Sequence, residues 1–105
     1  MTRDLAQRFN HRFKKTFRLP EPYILKDSAK IMDLANPTSK MSKSSESQAG
    51  VLDLLEDPKI TAKKVRSAVT DSDTHVAYDT DAKPGISNLL GLYSAFSGTP
   101  IDALV

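Results

Sequence analysis

Lys40 and Lys43 flank two residues, in a segment Lys40-Met41-Ser42-Lys43-Ser44 that carries two hydroxyls and no carboxylate. Residues of this kind suit polyphosphate. A lysine ammonium meets phosphate oxygens as a compact charge, and serine hydroxyls with free backbone N–H groups can complete a cradle. The same groups stabilise negative charge that builds up at a transferring phosphorus. From Thr38 to Gly50 only Met41 and Ala49 are apolar. The segment therefore cannot bury itself and is expected to be a mobile loop, able to close on a ligand. Composition taken alone describes a polar linker just as well, and favours that plainer reading.

Other residues with chemical capacity carry less. His11 and His75 lie far apart with no cysteine or partner histidine near either in sequence, so they read as exposed or structural side chains and no metal site is expected. Asp71, Asp73, Asp79 and Asp81 have the look of a cation loop but lack its central glycine and terminal glutamate, so they read as solvated loop acids. Lys63, Lys64 and Arg66 suit either an RNA backbone or the wet side of a helix. The net charge of +2 is unevenly placed, with six basic residues against Asp4 alone in residues 1–18. Alternating charge blocks of this sort ordinarily mark solvated faces.

The elements that must position the loop are visible as periodicities. Residues 2–14 predict a helix with Thr2 as its cap and Leu5, Ala6, Phe9 and Phe13 on one face. Leu19-Pro20-Glu21-Pro22 breaks it. Short strands are expected at 23–25 and 29–34, the second closed by the turn Asn36-Pro37. Residues 51–55 are expected to return to the core. Asp57-Pro58 then starts a helix running to about Val69, with Ala62, Val65, Ala68 and Val69 inward. Lys83-Pro84-Gly85 reads as a turn before a third helix that buries Ile86, Leu89, Leu90, Tyr93 and Phe96 and ends at Gly98. Thr99-Pro100-Ile101-Asp102 announces a further helix with only one turn of sequence behind it. Isolated helices need about a dozen residues, so this signal predicts a natural polypeptide that continues past Val105.

The 105 residues allow one modest core, and the absence of cysteine leaves neither disulfides nor thiolate metal ligands to support it. There is no apolar run of about 18 residues to suggest a membrane span, and no signal-peptide core. A soluble, cytoplasmic protein with no membrane partner is the expectation.

The five residues 40–44 match, letter for letter, the second signature motif of class I aminoacyl-tRNA synthetases. The flanks narrow the likeness. Residues 4–10 (DLAQRFN), 30–34 (KIMDL), 36–38 (NPT), 54–59 (LLEDPK), 63–71 (KKVRSAVTD) and 83–90 (KPGISNLL) resemble the bacterial-type tryptophan branch of that family, in the same order and along essentially the whole chain. The resemblance implies an α/β fold, mostly α in this stretch. Residues 1–37 would be the C-terminal end of a Rossmann nucleotide-binding domain, 38–50 the KMSKS loop, and 51–105 a linking segment with the first helices of a helical tRNA-binding domain.

It further implies that Lys40 and Lys43 bind the phosphates of ATP and act as electrostatic catalysts when the carboxylate of tryptophan attacks the α-phosphorus. Met41, Ser42 and Ser44 would shape the loop and contribute contacts, and Ile31 would lie beside the adenine, at the strand end where nucleotide folds place such contacts. Mg²⁺ would accompany ATP. L-tryptophan and tRNA would be the other partners, in a parent enzyme that is a homodimer. The family's histidine-containing ATP motif and its tryptophan pocket are absent from these residues, so the fragment alone is expected to be inactive. Ser45-Glu46 also departs from the Asp-Pro with which the family often continues the motif.

Two other classes of function compete with a ligase fragment. One is a non-catalytic phosphate- or RNA-binding module built on the loop and the basic N-terminal helix. The other is a helical interaction domain in which the loop is only a linker. The apolar faces at Leu5, Phe9 and Phe13 and at Leu89, Tyr93 and Phe96 call for a covering surface, which predicts self-association or partial disorder of the isolated 105 residues. Sedimentation velocity checks this: concentration-dependent association or an expanded profile is expected, and a compact, stable monomer would contradict it.

Overall fold

The computed structural model describes residues 1–26 and 28–105. Helix α1 spans Thr2–Arg12. Met1, not Thr2, holds the cap position, and no side chain bonds there. In its place the N-terminal ammonium pairs with Asp4 at 3.3 Å, beside the positive end of the helix dipole. The helix stops two residues before the expected end because Asn10 captures the chain that follows. Its Oδ1 accepts the N–H groups of Thr16 and Phe17, both at 2.9 Å, and its Nδ2 donates to the Phe17 carbonyl at 2.7 Å. The chain turns back, Phe9 stacks on Phe13 and Phe17 with ring centroids 4.7 and 4.8 Å apart, and Arg3 bonds the Pro20 carbonyl and Glu21.

Neither expected strand forms. Tyr23 is 88% exposed, with no sheet edge beside it to supply a ladder, and 29–34 contributes one antiparallel bridge, Met32 to Lys40. Among the described residues the secondary structure is helical, and no helix is long and apolar enough to cross a membrane. The mostly α reading holds, and the α/β designation is not expressed as a sheet here.

Helix α2 spans Pro58–Arg66, capped as expected by Asp57, whose Oδ1 accepts from the Lys59 N–H at 2.8 Å. It ends three residues before Val69 because Ser67 Oγ competes for the terminal carbonyls, donating toward Lys63 and Lys64 at 3.1 Å each. The Val69 N–H then turns to the Leu34 carbonyl at 2.8 Å, which draws it off the helix axis. Val65 and Val69 consequently remain exposed. Residues 51–55 return to the core only at Val51. A turn made by Asp53, whose side chain accepts from the Leu55 N–H at 3.0 Å, leaves Leu54 and Leu55 in solvent.

Helix α3 spans Pro84–Ser97, so Lys83-Pro84-Gly85 is its first turn, with proline at a position that has no use for an N–H. Gly98 closes it in the left-handed conformation at φ 73°, as expected. The buried face matches the expected one only in part: Leu90 is buried and Ile86 and Leu89 are half-buried. Gly85, Ser87, Asn88, Leu90 and Gly91 point inward, while Tyr93 and Phe96 are 60% and 72% exposed on the opposite side. Small residues win because backbone approaches there: a Cβ on Gly85 would strike the Val69 carbonyl oxygen. The helix announced by Thr99-Pro100 is a single 3₁₀ turn, Ile101–Ala103, packed on α3 with Ile101 buried.

The apolar core is small, comprising Leu34, Val51, Leu90 and Ile101. The radius of gyration of 18.2 Å far exceeds the roughly 13 Å of a compact chain this long, so the molecule is elongated. Backbone approach makes the inward glycines the sensitive positions. Gly85→Ala is expected to lower stability by about 1–3 kcal/mol through overpacking against rigid backbone. Gly98→Ala, which meets nothing within 4 Å but keeps a positive φ, is expected to cost about 1 kcal/mol. Thermal denaturation of the two variants checks this order, and equal melting temperatures would contradict it.

Candidate functional site

The loop of residues 38–50 is fastened at its base and bonded only to itself at its tip. At the base, the Asp33 N–H donates to the Ser39 carbonyl at 2.8 Å and the Met41 N–H to the Ile31 carbonyl at 3.0 Å, flanking the Met32–Lys40 pair. The far end closes through the Leu34 N–H, which donates to the Gly50 carbonyl at 2.9 Å. Gly50 sits where any Cβ would collide with the Asp33 carboxylate. That carboxylate is buried and satisfied, accepting the N–H groups of Ala35 at 2.8 Å and Asn36 at 3.1 Å.

At the tip, the Ser45 N–H donates to the Ser42 carbonyl at 3.1 Å and the hydroxyls of Ser42 and Ser44 lie 3.0 Å apart. The 3₁₀ turn Gln48–Gly50, capped by Ser47, returns the chain to the base. Ile31, Lys40, Met41 and Lys43 line one open cleft of about 880 Å³, whose apolar wall includes Val51, Leu52 and Leu92. Met41 and Ile31 are half-buried and the two lysines are exposed. Among the described residues neither lysine makes an ion pair. Ser42 and Ser44 are exposed and do not line the cleft; their hydroxyls are turned to each other. The sequence-derived set is thus brought together in four of its six members.

Two side chains brace this base, and neither was assigned to it from sequence. Lys64, grouped with a basic block that suited RNA, is committed inward. Its Nζ donates to the Val51 carbonyl at 2.7 Å and to Glu56 at 2.6 Å, with Thr61 completing the carboxylate at 2.9 Å. The Lys64 hydrogen bond outweighs partial desolvation and holds the Glu56 carboxyl below its ordinary range. Asn88 of α3 bonds both backbone groups of Met32, accepting its N–H at 2.9 Å and donating to its carbonyl at 2.8 Å. The signal in the residues was a polar amide next to Leu89 and Leu90 in an amphipathic helix, which apolar periodicity passes over.

The aspartates read as solvated loop acids are partly committed too. Lys83 Nζ bonds Asp73 at 2.9 Å and Asp71 at 3.2 Å. Hydrogen bonding to Lys83 is the leading cause of the lowered pKa of both carboxyls. Asp73 first, opposed by desolvation and helped by Asp71, raises that of Lys83. Asp79 turns its carboxylate to the N–H groups of Ala82 and Asp81, which lowers its pKa. Among the described residues, no group of three or more His, Cys, Asp or Glu side chains is placed to hold a metal ion.

Comparison with known proteins assigns the chain to a family. A family profile described as tRNA synthetases class I (W and Y) matches residues 1–104, and the chain belongs to that family. Within it, the chain is 60% identical over 104 residues to tryptophan–tRNA ligase 2 of Streptomyces avermitilis, and 56% identical over 105 residues to tryptophan–tRNA ligase of Mycobacterium leprae. Those matches cover 99% and 100% of this chain but 31% of each relative. The crystal structure of tryptophanyl-tRNA synthetase from Mycoplasma pneumoniae superposes with a TM-score of 0.77 at 41% identity, covering 97% of this chain and 30% of that one.

The braces set a pH dependence. Glu56, Asp71 and Asp73 have lowered folded-state pKa values, so their contribution is present above the ordinary carboxylate range and is lost as pH falls through the lowered values, below about 4. Lys83 is shifted upward, so its share is complete below the ordinary lysine value and disappears only as pH rises beyond about 10.4. Between these limits stability is expected to be insensitive to these groups. NMR titration of the side-chain carboxyl carbons checks the assignment: Lys64→Met is expected to move Glu56 upward and leave Asp71 in place, and Lys83→Met the converse.

Proposed function

We propose that the polypeptide carrying these residues is a tryptophan–tRNA ligase, and that this segment supplies its ATP-phosphate-binding loop. The carrying observation is convergence. Lys40, Lys43, Met41 and Ile31, identified from sequence alone, border a single cleft, and neither ammonium is neutralised by a carboxylate among the described residues. The names of the relatives at 60% and 56% identity support the substrate assignment.

In this reading residues 1–37 end a Rossmann-type catalytic domain, 38–50 are the signature loop, and 51–105 lead into the helical tRNA-binding domain. A tryptophan carboxylate oxygen bonds to the α-phosphorus of ATP while the bond to the bridging oxygen of pyrophosphate breaks, giving tryptophanyl adenylate and pyrophosphate. Lys40 and Lys43 neutralise charge gathering on the phosphates, Ile31 flanks the adenine, and Met41 anchors the loop through its backbone. Ser42 and Ser44 exchange their mutual hydrogen bond for phosphate oxygens when the loop closes. Mg²⁺ arrives with ATP, bound to the phosphates as part of the substrate. A terminal ribose hydroxyl of tRNA then attacks the carbonyl carbon of the adenylate, forming the tryptophanyl ester as the bond to the phosphate oxygen breaks and AMP leaves, in the cytoplasm, in a homodimeric enzyme. The site residues are those given above, and no resident metal is required.

The test is a chimera in which these 105 residues replace the matched segment of the Streptomyces avermitilis ligase. Tryptophan-dependent ATP–pyrophosphate exchange is expected, and Lys40→Ala or Lys43→Ala is expected to lower its kcat by about 10²–10³-fold with the KM for tryptophan unchanged, the loss typical of one electrostatic donor. The 105 residues alone are expected to show no exchange. Unaided, tight nucleotide or RNA binding by these residues, or an active chimera indifferent to both alanines, would favour a binding module or a structural domain instead.

A further inference from the structure

Met32 is the residue directly opposite Lys40 in the bridge at the loop base. In that bridge the ladder bonds come from the neighbours on either side, Ile31 and Asp33. This pairing geometry turns the N–H and C=O of Met32 itself toward the other edge, where in a sheet a further strand would meet them. No strand is there. Asn88 takes its place, with Oδ1 accepting the Met32 N–H at 2.9 Å and Nδ2 donating to the Met32 carbonyl at 2.8 Å.

The side-chain amide reproduces one residue's worth of strand pairing, and it does so from the middle of α3, with Asn88 buried. A primary amide alone among small side chains offers a donor and an acceptor at the spacing of a peptide group. The backbone around Lys40 is therefore tied to α3 through two successive layers of hydrogen bonds, Ser39 and Met41 to Asp33 and Ile31, and Met32 between them to Asn88. Residues on the same helix do not share this role: the neighbouring buried Ser87 accepts the Asp79 N–H at 2.8 Å and holds a different segment.

We propose that Asn88 is a positioning residue for the adenylation step, acting as a strand surrogate that sets where Lys40 stands by coupling the loop base to α3. The inference rests on the phosphate-binding role proposed for Lys40. Movement of α3 moves Lys40, and a chain lacking the amide keeps its fold but loses the register of the lysine against the phosphates.

The test uses the chimera described above. Asn88→Ala is expected to lower the kcat of ATP–pyrophosphate exchange by roughly ten- to a hundredfold, the penalty of a small misplacement remote from the reacting atoms. The KM for tryptophan is expected to stay unchanged. Asn88→Asp, which keeps an acceptor for the Met32 N–H but loses the donor to its carbonyl, also lowers kcat and keeps the proposal open to refutation if the alanine variant does not fold. Ser87→Ala serves as the control of comparable burial and leaves kcat unaltered. Amide hydrogen exchange at Met41 and Asp33 is expected to accelerate in both Asn88 variants ahead of exchange in α2. In a Lys40→Ala background, Asn88→Ala is expected to add little further loss. Full kcat in both Asn88 variants, or losses from Asn88 and Lys40 that simply multiply, would overturn the inference. Indifference of the chimera to Lys40→Ala would instead overturn the function on which it rests.

Discussion

Everything in the neighbourhood of the loop depends on the pairing of the extended backbone at residues 31–34. Its polar groups are divided among distant parts of the chain. The Ile31 carbonyl and Asp33 N–H go to the loop's first arm, the Met32 groups to α3, the Leu34 N–H to Gly50 and the Leu34 carbonyl to Val69. An unmet buried backbone group costs about 1–3 kcal/mol, so a segment with this many commitments has one place to sit. Leu34, 2% exposed, is the most buried hydrophobic side chain at this junction. With so few apolar side chains buried, hydrogen bonds from single side chains do the bracing that a layered sheet does elsewhere.

This division makes the loop two things at once. Its base is stiff, pinned from α3 by Asn88 and from α2 by Lys64 through the Val51 carbonyl. Its tip, where Ser42, Ser44 and Ser45 bond one another and Gln48 donates to the Ser45 carbonyl, makes no hydrogen bond outside the loop among the described residues. In the proposed function, a stiff base with a free tip suits closure on a polyphosphate, since the lysine ammonium groups would reach the phosphates while their backbone keeps its register. Lys40, in the bridge itself, belongs to the stiff part; Lys43, in the turn, belongs to the free part.

Much of this was readable in the sequence, for reasons that differ by element. Helices α2 and α3 announced themselves because Asp57-Pro58 and Gly98 act through local chemistry that needs no tertiary context. The expected strands failed for the opposite reason, since 23–25 and 29–34 have the right side chains but strand identity is conferred by a neighbour, and only Lys40 supplies one. The buried face of α3 was misread in part because apolar spacing marks Tyr93 and Phe96, whereas the approach of backbone at Val69, Asp79 and Met32 selects Gly85, Ser87 and Asn88. In the site, the lysines were found by their motif. Asn88 and Lys64 carried no such mark, because their function lies in what they touch.

The central claim is that Lys40 and Lys43 act together on one ATP molecule held over the cleft beside Ile31. A crystal structure of the chimeric ligase with Mg²⁺ and a non-hydrolysable ATP analogue tests it most directly. The account predicts both lysine Nζ atoms within hydrogen-bonding distance of phosphate oxygens, the adenine against Ile31, and the Met32–Lys40 bridge intact. An analogue bound with its phosphates away from both lysines, or a loop that closes only by breaking that bridge, would contradict it.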